Sequence, residues 1–181
     1  MLTIKKEKII VFDTETTGLP DGVNGNSTHG HEILQLAMID GAGVLKLKEQ
    51  FKPTRKREWL EAQRVHGITT RDVQHKPSIE AFKDEIQKHI NYSELLVAYN
   101  FSFDYIFLKE VGISFSGKRY YDVMYEFSKK HVVNRRYGTI SCVSLKKCAA
   151  YYGYDLSKAH DAEEDARATL HCFLQLQEEN A

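Results

Sequence analysis

An α/β fold is predicted, with a mixed central sheet, antiparallel over its first three strands and parallel thereafter, flanked by helices. Two observations predict it. The first third of the chain holds three β-rich segments parted by turn residues, and the remainder alternates 3.6-residue periodicity with short apolar runs. The length, 181 residues, suits one domain spanning residues 1–181.

The first strand is Lys8 to Asp13, KIIVFD, almost continuously apolar and so suited to burial on both faces. Pro20 to His31, PDGVNGNSTHGH, has turn residues without periodicity and reads as a loop. Ile33 to Ile39 and Val44 to Phe51 flank the turn dipeptide Asp40-Gly41, predicting a hairpin. Helices are expected at Glu58 to Arg64 and, from an N-cap at Ser78, over Ser78 to Ile90, where Phe82, Ile86 and Ile90 recur every four residues. Leu95 to Tyr99 returns to strand. Ser102 is then expected to cap a helix whose Phe103, Phe107, Leu108 and Val111 share a stripe and which Gly112 stops. A strand-to-helix unit follows at Arg119 to Lys130. Helices at Ser144 to Tyr152 and Asp161 to Gln177 close the chain, the last with a capping-box-like Asp161 and Glu164.

Composition narrows the classes. With 42% hydrophobic and 28% charged residues and only 3 prolines, the chain is neither disordered nor collagen-like. No apolar run approaches the roughly 20 residues that cross a bilayer, and MLTIKKEKIIVF lacks the features of a signal peptide, so a cytoplasmic location and no membrane partner are expected. Cys142, Cys148 and Cys172 form no CxxC pair, which argues against a disulfide framework or structural zinc. His29 and His31 share a loop but have no third ligand at zinc spacing. The 25 basic and 25 acidic side chains cancel, so an anionic partner must be met by local patches. Lys46 to Arg57 (KLKEQFKPTRKR) and Lys129 to Arg136 (KKHVVNRR) are candidates, and each also fits a solvated surface segment.

Asp13-Thr14-Glu15 carries the sharpest chemical signal. Side chains two apart on a strand share a face, so two carboxylates stand together, an arrangement that suits a hard divalent cation but also a strand ending in solvent. Asp104 lies among aromatics in YNFSFDYIFL, at a first helical turn where it serves either a cation or the helix dipole. Asp165 follows His160 by five residues in AHDAEEDARATL; Ala162 and Ala166 beside it would leave space for a ligand, while a surface acid is the alternative.

VFDTETTGL, YNFSFDYIFL and HDAEEDA, in this order, resemble the three motifs of the DEDDh 3′–5′ exonucleases, the group that includes the proofreading subunit of bacterial DNA polymerase III, ribonuclease T and oligoribonuclease. The resemblance runs from the first strand to the last helix. It implies a ribonuclease H-like fold, with Asp13, Glu15, Asp104 and Asp165 as ligands of two Mg²⁺ ions, for which Mn²⁺ can substitute, and His160 as general base. Two such ions ~4 Å apart would activate water and stabilise the leaving oxygen, and a neutral imidazole can take the water's proton.

The same resemblance assigns substrate contacts to Thr16, Gly18 and Leu19 of the first motif, Gly allowing close backbone approach and Leu wedging beneath a base. It extends to Glu61 and His66 in EAQRVHGIT and to Asn100 and Phe101, with His66 and Phe101 expected to flank a base. Tyr99 stands where many members have His, and the loop at 20–31 is longer and richer in glycine. The expected partner is a nucleic acid 3′ end, DNA before RNA, with a DNA polymerase as a possible protein partner. RNA as substrate and a non-catalytic binding module are the alternatives. Nothing in the sequence specifies an oligomeric state.

Overall fold

The computed structural model describes residues 4–20, 27–131, 133–134, 139–157 and 159–180. Its main sheet has the order β3-β2-β1-β4-β5, formed by β1 (Ile9–Thr16), β2 (Ile33–Asp40), β3 (Leu45–Gln50), β4 (Leu95–Ala98) and β5 (Arg119–Asp122). The pairs β1–β2 and β2–β3 are antiparallel, whereas β4 joins β1, and β5 joins β4, in parallel. The mixed sheet is therefore the one the sequence predicts. A separate two-stranded ribbon pairs β6 (Val133–Asn134) with β7 (Thr139–Ile140).

Strand alternation divides the core in two. Ile9 and Val11 of β1 face α5 (Val123–His131), α6 (Leu145–Tyr151) and α7 (Ala162–Glu178), packing with Val123, Ala149, Ala166 and Leu170. Ile10 and Phe12 point the other way, onto α3 (Lys83–Tyr92) and α4 (Phe101–Glu110) through Ile86, Ile90, Phe107 and Leu108. Fully buried side chains such as Phe12 and Ile86 contribute roughly 1.5–3 kcal/mol each. Trp59, Ile68 and Val73 close a smaller cluster on Leu34, beneath α1 (Leu60–His66) and α2 (Thr70–Val73). Cys148 and Cys172 are buried and Cys142 is exposed, all as free thiols.

Two helix starts differ from expectation, and the expected hairpin forms with a turn wider than the Asp40-Gly41 dipeptide. The helix expected from Ser78 begins as a 3-10 turn, Ile79–Phe82, without a side-chain cap from Ser78, and becomes α-helical only at Lys83. The hairpin turn runs Asp40–Val44; Asp40 accepts the amides of Ala42 and Val44, and the left-handed glycine is Gly43. Ser102 does not cap α4. That helix starts at Phe101 after Asn100, whose φ of 62° is a conformation Asn tolerates, and the Phe101 amide is satisfied by Asp122 from β5 at 3.0 Å. A cap supplied from a distant strand leaves no local sequence signature.

Candidate active site

The alternation that builds the core also aims the acids. Asp13 and Glu15 continue the Ile9/Val11 face and meet the first turn of α7, where Asp165 projects. Thr14 faces the other way, and its hydroxyl donates to Asp104 Oδ1 at 2.6 Å from the first turn of α4. Four carboxylates from β1, α4 and α7 are thus gathered at one place. Asp13, Glu15 and Asp165 line a cleft of about 930 Å³, with Asp104 buried behind Thr14.

Crowding shows in their acidities. Burial, then the charges of Asp104, Glu15 and Asp165, hold Asp13 well above the usual carboxylate range. Glu15 is pushed up to about 8 by burial and the charges of Asp165 and Asp104. Burial raises Asp104 to about 7 against the Thr14 hydrogen bond, and Asp165 to about 6 against a bond from the His160 amide. The Asp165 Oδ2 accepts that amide at 3.1 Å, while its Oδ1 is buried with no hydrogen-bond partner. One ligand atom each from Glu15, His160 and Asp165 lies within 4.8 Å of the others. Hard oxygens, an orphaned carboxylate oxygen and mutual repulsion together fit a divalent cation.

An acid whose folded pKa exceeds its unfolded value destabilises the fold as pH rises between the two, because the unfolded chain releases its proton first. Metal-free protein should therefore lose thermal stability from the ordinary carboxylate range, about 4, up to the Glu15 value of about 8. Added Mn²⁺ should raise the melting temperature more at pH 8 than at pH 5. Melting curves across this range decide the point, and a metal-free stability that rises with pH would contradict the cluster.

His160 precedes α7 with a left-handed φ of 71°, its side chain exposed at the cleft. Asp161, the N-cap, accepts the amides of Glu163 and Glu164. The sequence resemblance makes His160 a base and not a ligand; the structure puts its ring within ligand reach of Glu15 and Asp165. Ala162 and Ala166 do not open space for a ligand. Both are fully buried, and their small size lets α7 approach the sheet.

The substrate-contact candidates separate. Thr16, Gly18, Leu19, Glu61 and His66 all line the cleft, with Leu19 75% exposed and free to meet a ligand. The Thr16 hydroxyl donates to Gly18 O at 2.7 Å. His66 is fixed: its Nδ1 accepts the Ile68 amide, so Nε2 donates to Thr16 O, tying α1 to the end of β1. Asn100 and Phe101 fall outside the cleft lining. Phe101 is corrected as a stacking partner, because its ring is 7% exposed among Phe12, Tyr105, Phe115 and Tyr120. From α4 it is Phe103, on the opposite side of the helix, that reaches the cleft, which Trp59 also lines.

Three of the six basic residues in the Lys46 to Arg57 stretch are engaged by acids within the chain. Lys46 pairs with Asp40 at 2.7 Å, Lys48 with Asp161 and Glu163, and Arg55 with Glu110 at 2.7 Å; Lys56 lines the cleft. In the second stretch Lys130 and His131 meet Glu179, and Arg135 and Arg136 lie outside the described residues.

His31, which the sequence places in a loop with His29, forms a wall of the cleft. Its Nδ1 is 3.2 Å from the Thr17 hydroxyl, which also accepts the Glu32 amide. A Cβ on Gly18 would run into the imidazole, so the missing side chain at 18 makes room for His31. Gly18→Ala should destabilise the protein by ~1–3 kcal/mol through overpacking, and His31→Ala should relieve most of that loss. Melting of the two single variants and the double variant tests this, and additive losses would refute the contact. The signal for His31 lay in register: antiparallel pairing of Thr16 with Ile33 sets the residues after β1 beside those before β2.

A family of exonucleases, RNase T, matches residues 10–173. The chain belongs to this exonuclease family. Exonuclease CP81 of Escherichia phage 186 is 29% identical over 89% of this chain and 84% of its own length. The PolC-type DNA polymerase III of Staphylococcus saprophyticus is 29% identical over 96% of this chain, which spans only 12% of that protein. The epsilon subunit of DNA polymerase III from Buchnera aphidicola is 32% identical over 58% of this chain and 45% of its own length. Among solved structures, E. coli ExoI in complex with single-stranded DNA superposes with a TM-score of 0.72 at 19% identity, covering 95% of this chain and 40% of that one. Exonuclease X with 5′-overhanging duplex DNA gives 0.65 at 21% identity, covering 94% and 92%. These neighbours share the ribonuclease H-like fold. No helix among the described residues is long and apolar enough to cross a membrane.

Proposed function

We propose that the chain is a divalent-metal-dependent 3′–5′ exonuclease that releases 5′-mononucleotides from single-stranded or frayed DNA. The observation that carries this reading is the gathering of Asp13, Glu15, Asp104 and Asp165 beside His160 at one end of a cleft, in a chain of the exonuclease family. The four carboxylates would hold two Mg²⁺ or Mn²⁺ ions. Bound there, the ions supply activation of water and stabilisation of the leaving 3′-oxygen.

The chain's own residues supply the rest. His160 accepts the attacking water's proton at a ring nitrogen, from an exposed position beside the acids. Leu19, Val65 and Phe103 offer an apolar wall for the terminal base, and Lys56 and Arg64 face the phosphates from the cleft rim. Glu61 reaches the sugar of that nucleotide. Kinship with DNA polymerase III chains supports DNA as substrate and a polymerase as partner. RNA is the second reading, favoured by the fold shared with a 3′-exonuclease that recognises a histone mRNA stem-loop. Initial rates on matched single-stranded DNA and RNA oligonucleotides in Mg²⁺ separate the two: faster DNA cleavage is expected, and faster RNA cleavage would replace the first reading with the second.

A further inference from the structure

We propose that Lys48 is a positioning residue that holds the Asp161 cap and thereby sets where His160 and Asp165 stand in the cleft. The proposal rests on the nuclease reading of that site. Lys48 belongs to the basic stretch that the sequence offers as a phosphate-binding patch, yet its ammonium is engaged within the chain. Its Nζ reaches both oxygens of Asp161, at 2.9 and 3.0 Å, and Glu163 Oε2 at 3.2 Å.

Asp161 stands at the centre of a closed set of bonds. Its carboxylate receives the Glu163 and Glu164 amides at 3.2 and 3.3 Å, and its carbonyl receives the Asp165 amide at 2.9 Å. Asp165 Oδ2 in turn accepts the His160 amide. A left-handed histidine persists only where its surroundings over-determine it, and this set of bonds does so. Lys48 and Gln35, whose Oε1 accepts the Ala162 amide at 3.1 Å, fasten the set to the neighbouring strands. Both side chains of the Lys48–Asp161 pair are a third or more exposed, so its contribution to global stability is small. Its consequence is directional. Without Lys48, Glu163 keeps Arg167 at 2.7 Å, whereas Asp161 loses its cation. The Asp161 carboxylate then keeps the Glu163 and Glu164 amides without a cation to anchor it to β3, and the turn that places His160 and Asp165 loosens.

Lys48→Ala, Lys48→Met and Lys48→Arg separate positioning from phosphate binding. Steady-state cleavage of single-stranded DNA in Mg²⁺ gives kcat, KM and the salt dependence of KM. Hydrogen exchange of the Glu163, Glu164 and Asp165 amides, in metal-free protein, reads the cap directly. The Ala and Met variants should lose roughly fivefold to tenfold in kcat and exchange these amides faster by a similar factor, as for a weakened cap. KM and its salt slope should stay, and Lys48→Arg should restore both readouts. Met keeps the aliphatic stem should Ala compromise folding. A raised KM with a shallower salt slope at unchanged kcat, or unaltered exchange, would overturn the proposal. An inactive wild type would instead remove the nuclease reading, with exchange still deciding the role of Lys48.

Discussion

Asp13→Ala is expected to cut turnover by at least about a thousandfold, some 4 kcal/mol of transition-state stabilisation, while the purified protein melts no lower than wild type without metal. The first half follows from the position of Asp13, which stands beside Glu15 on β1, meets Asp165 of α7 and feels the charge of Asp104. On the proposed reading its removal takes a metal ligand from the set. The second half follows from the same crowding. Burial and its neighbours hold Asp13 well above the usual carboxylate pKa range, so deleting it relieves repulsion in the metal-free fold. Steady-state rates in Mg²⁺ and metal-free melting test both halves. Near-wild-type hydrolysis by the variant would remove Asp13 from the catalytic set, and a large drop in metal-free melting temperature would make it a structural residue.

His160→Ala should lose roughly 10²- to 10⁴-fold in kcat, the usual contribution of a general base. The structure adds a second question, since the ring lies within ligand reach of Glu15 and Asp165. Calorimetry with Mn²⁺ and a mononucleotide answers it. Unchanged Mn²⁺ affinity with lost turnover makes His160 a base. A large loss of affinity makes it a ligand, and normal turnover assigns the proton to another group.

Strand-level features were legible because they rest on local periodicity. The apolar run of β1, the meander and the later parallel strands follow from it, and Asp13 and Glu15 share a face because they are two apart. What the sequence could not show depends on contacts between distant segments. Asp122 caps α4 from β5 and shifts its start away from Ser102; Thr14 secures Asp104 from ninety positions earlier. The basic stretch misleads for the same reason, as Lys48 and Arg55 find acids far along the chain, while Lys46 meets Asp40 across the hairpin turn. The sequence reading sets Phe101 against a base and Phe103 on the apolar stripe of α4. Helical geometry sends the first into the core and the second to the cleft.

The central claim, hydrolysis from a 3′ end with divalent metal, is tested most directly on a single-stranded DNA labelled at its 5′ end, incubated with wild-type protein in Mg²⁺, Mn²⁺ or EDTA. The account predicts a ladder that shortens one nucleotide at a time in either metal, release of 5′-mononucleotides, and intact substrate in EDTA. Internal cuts, immediate release of the labelled nucleotide, or equal cleavage in EDTA would contradict it.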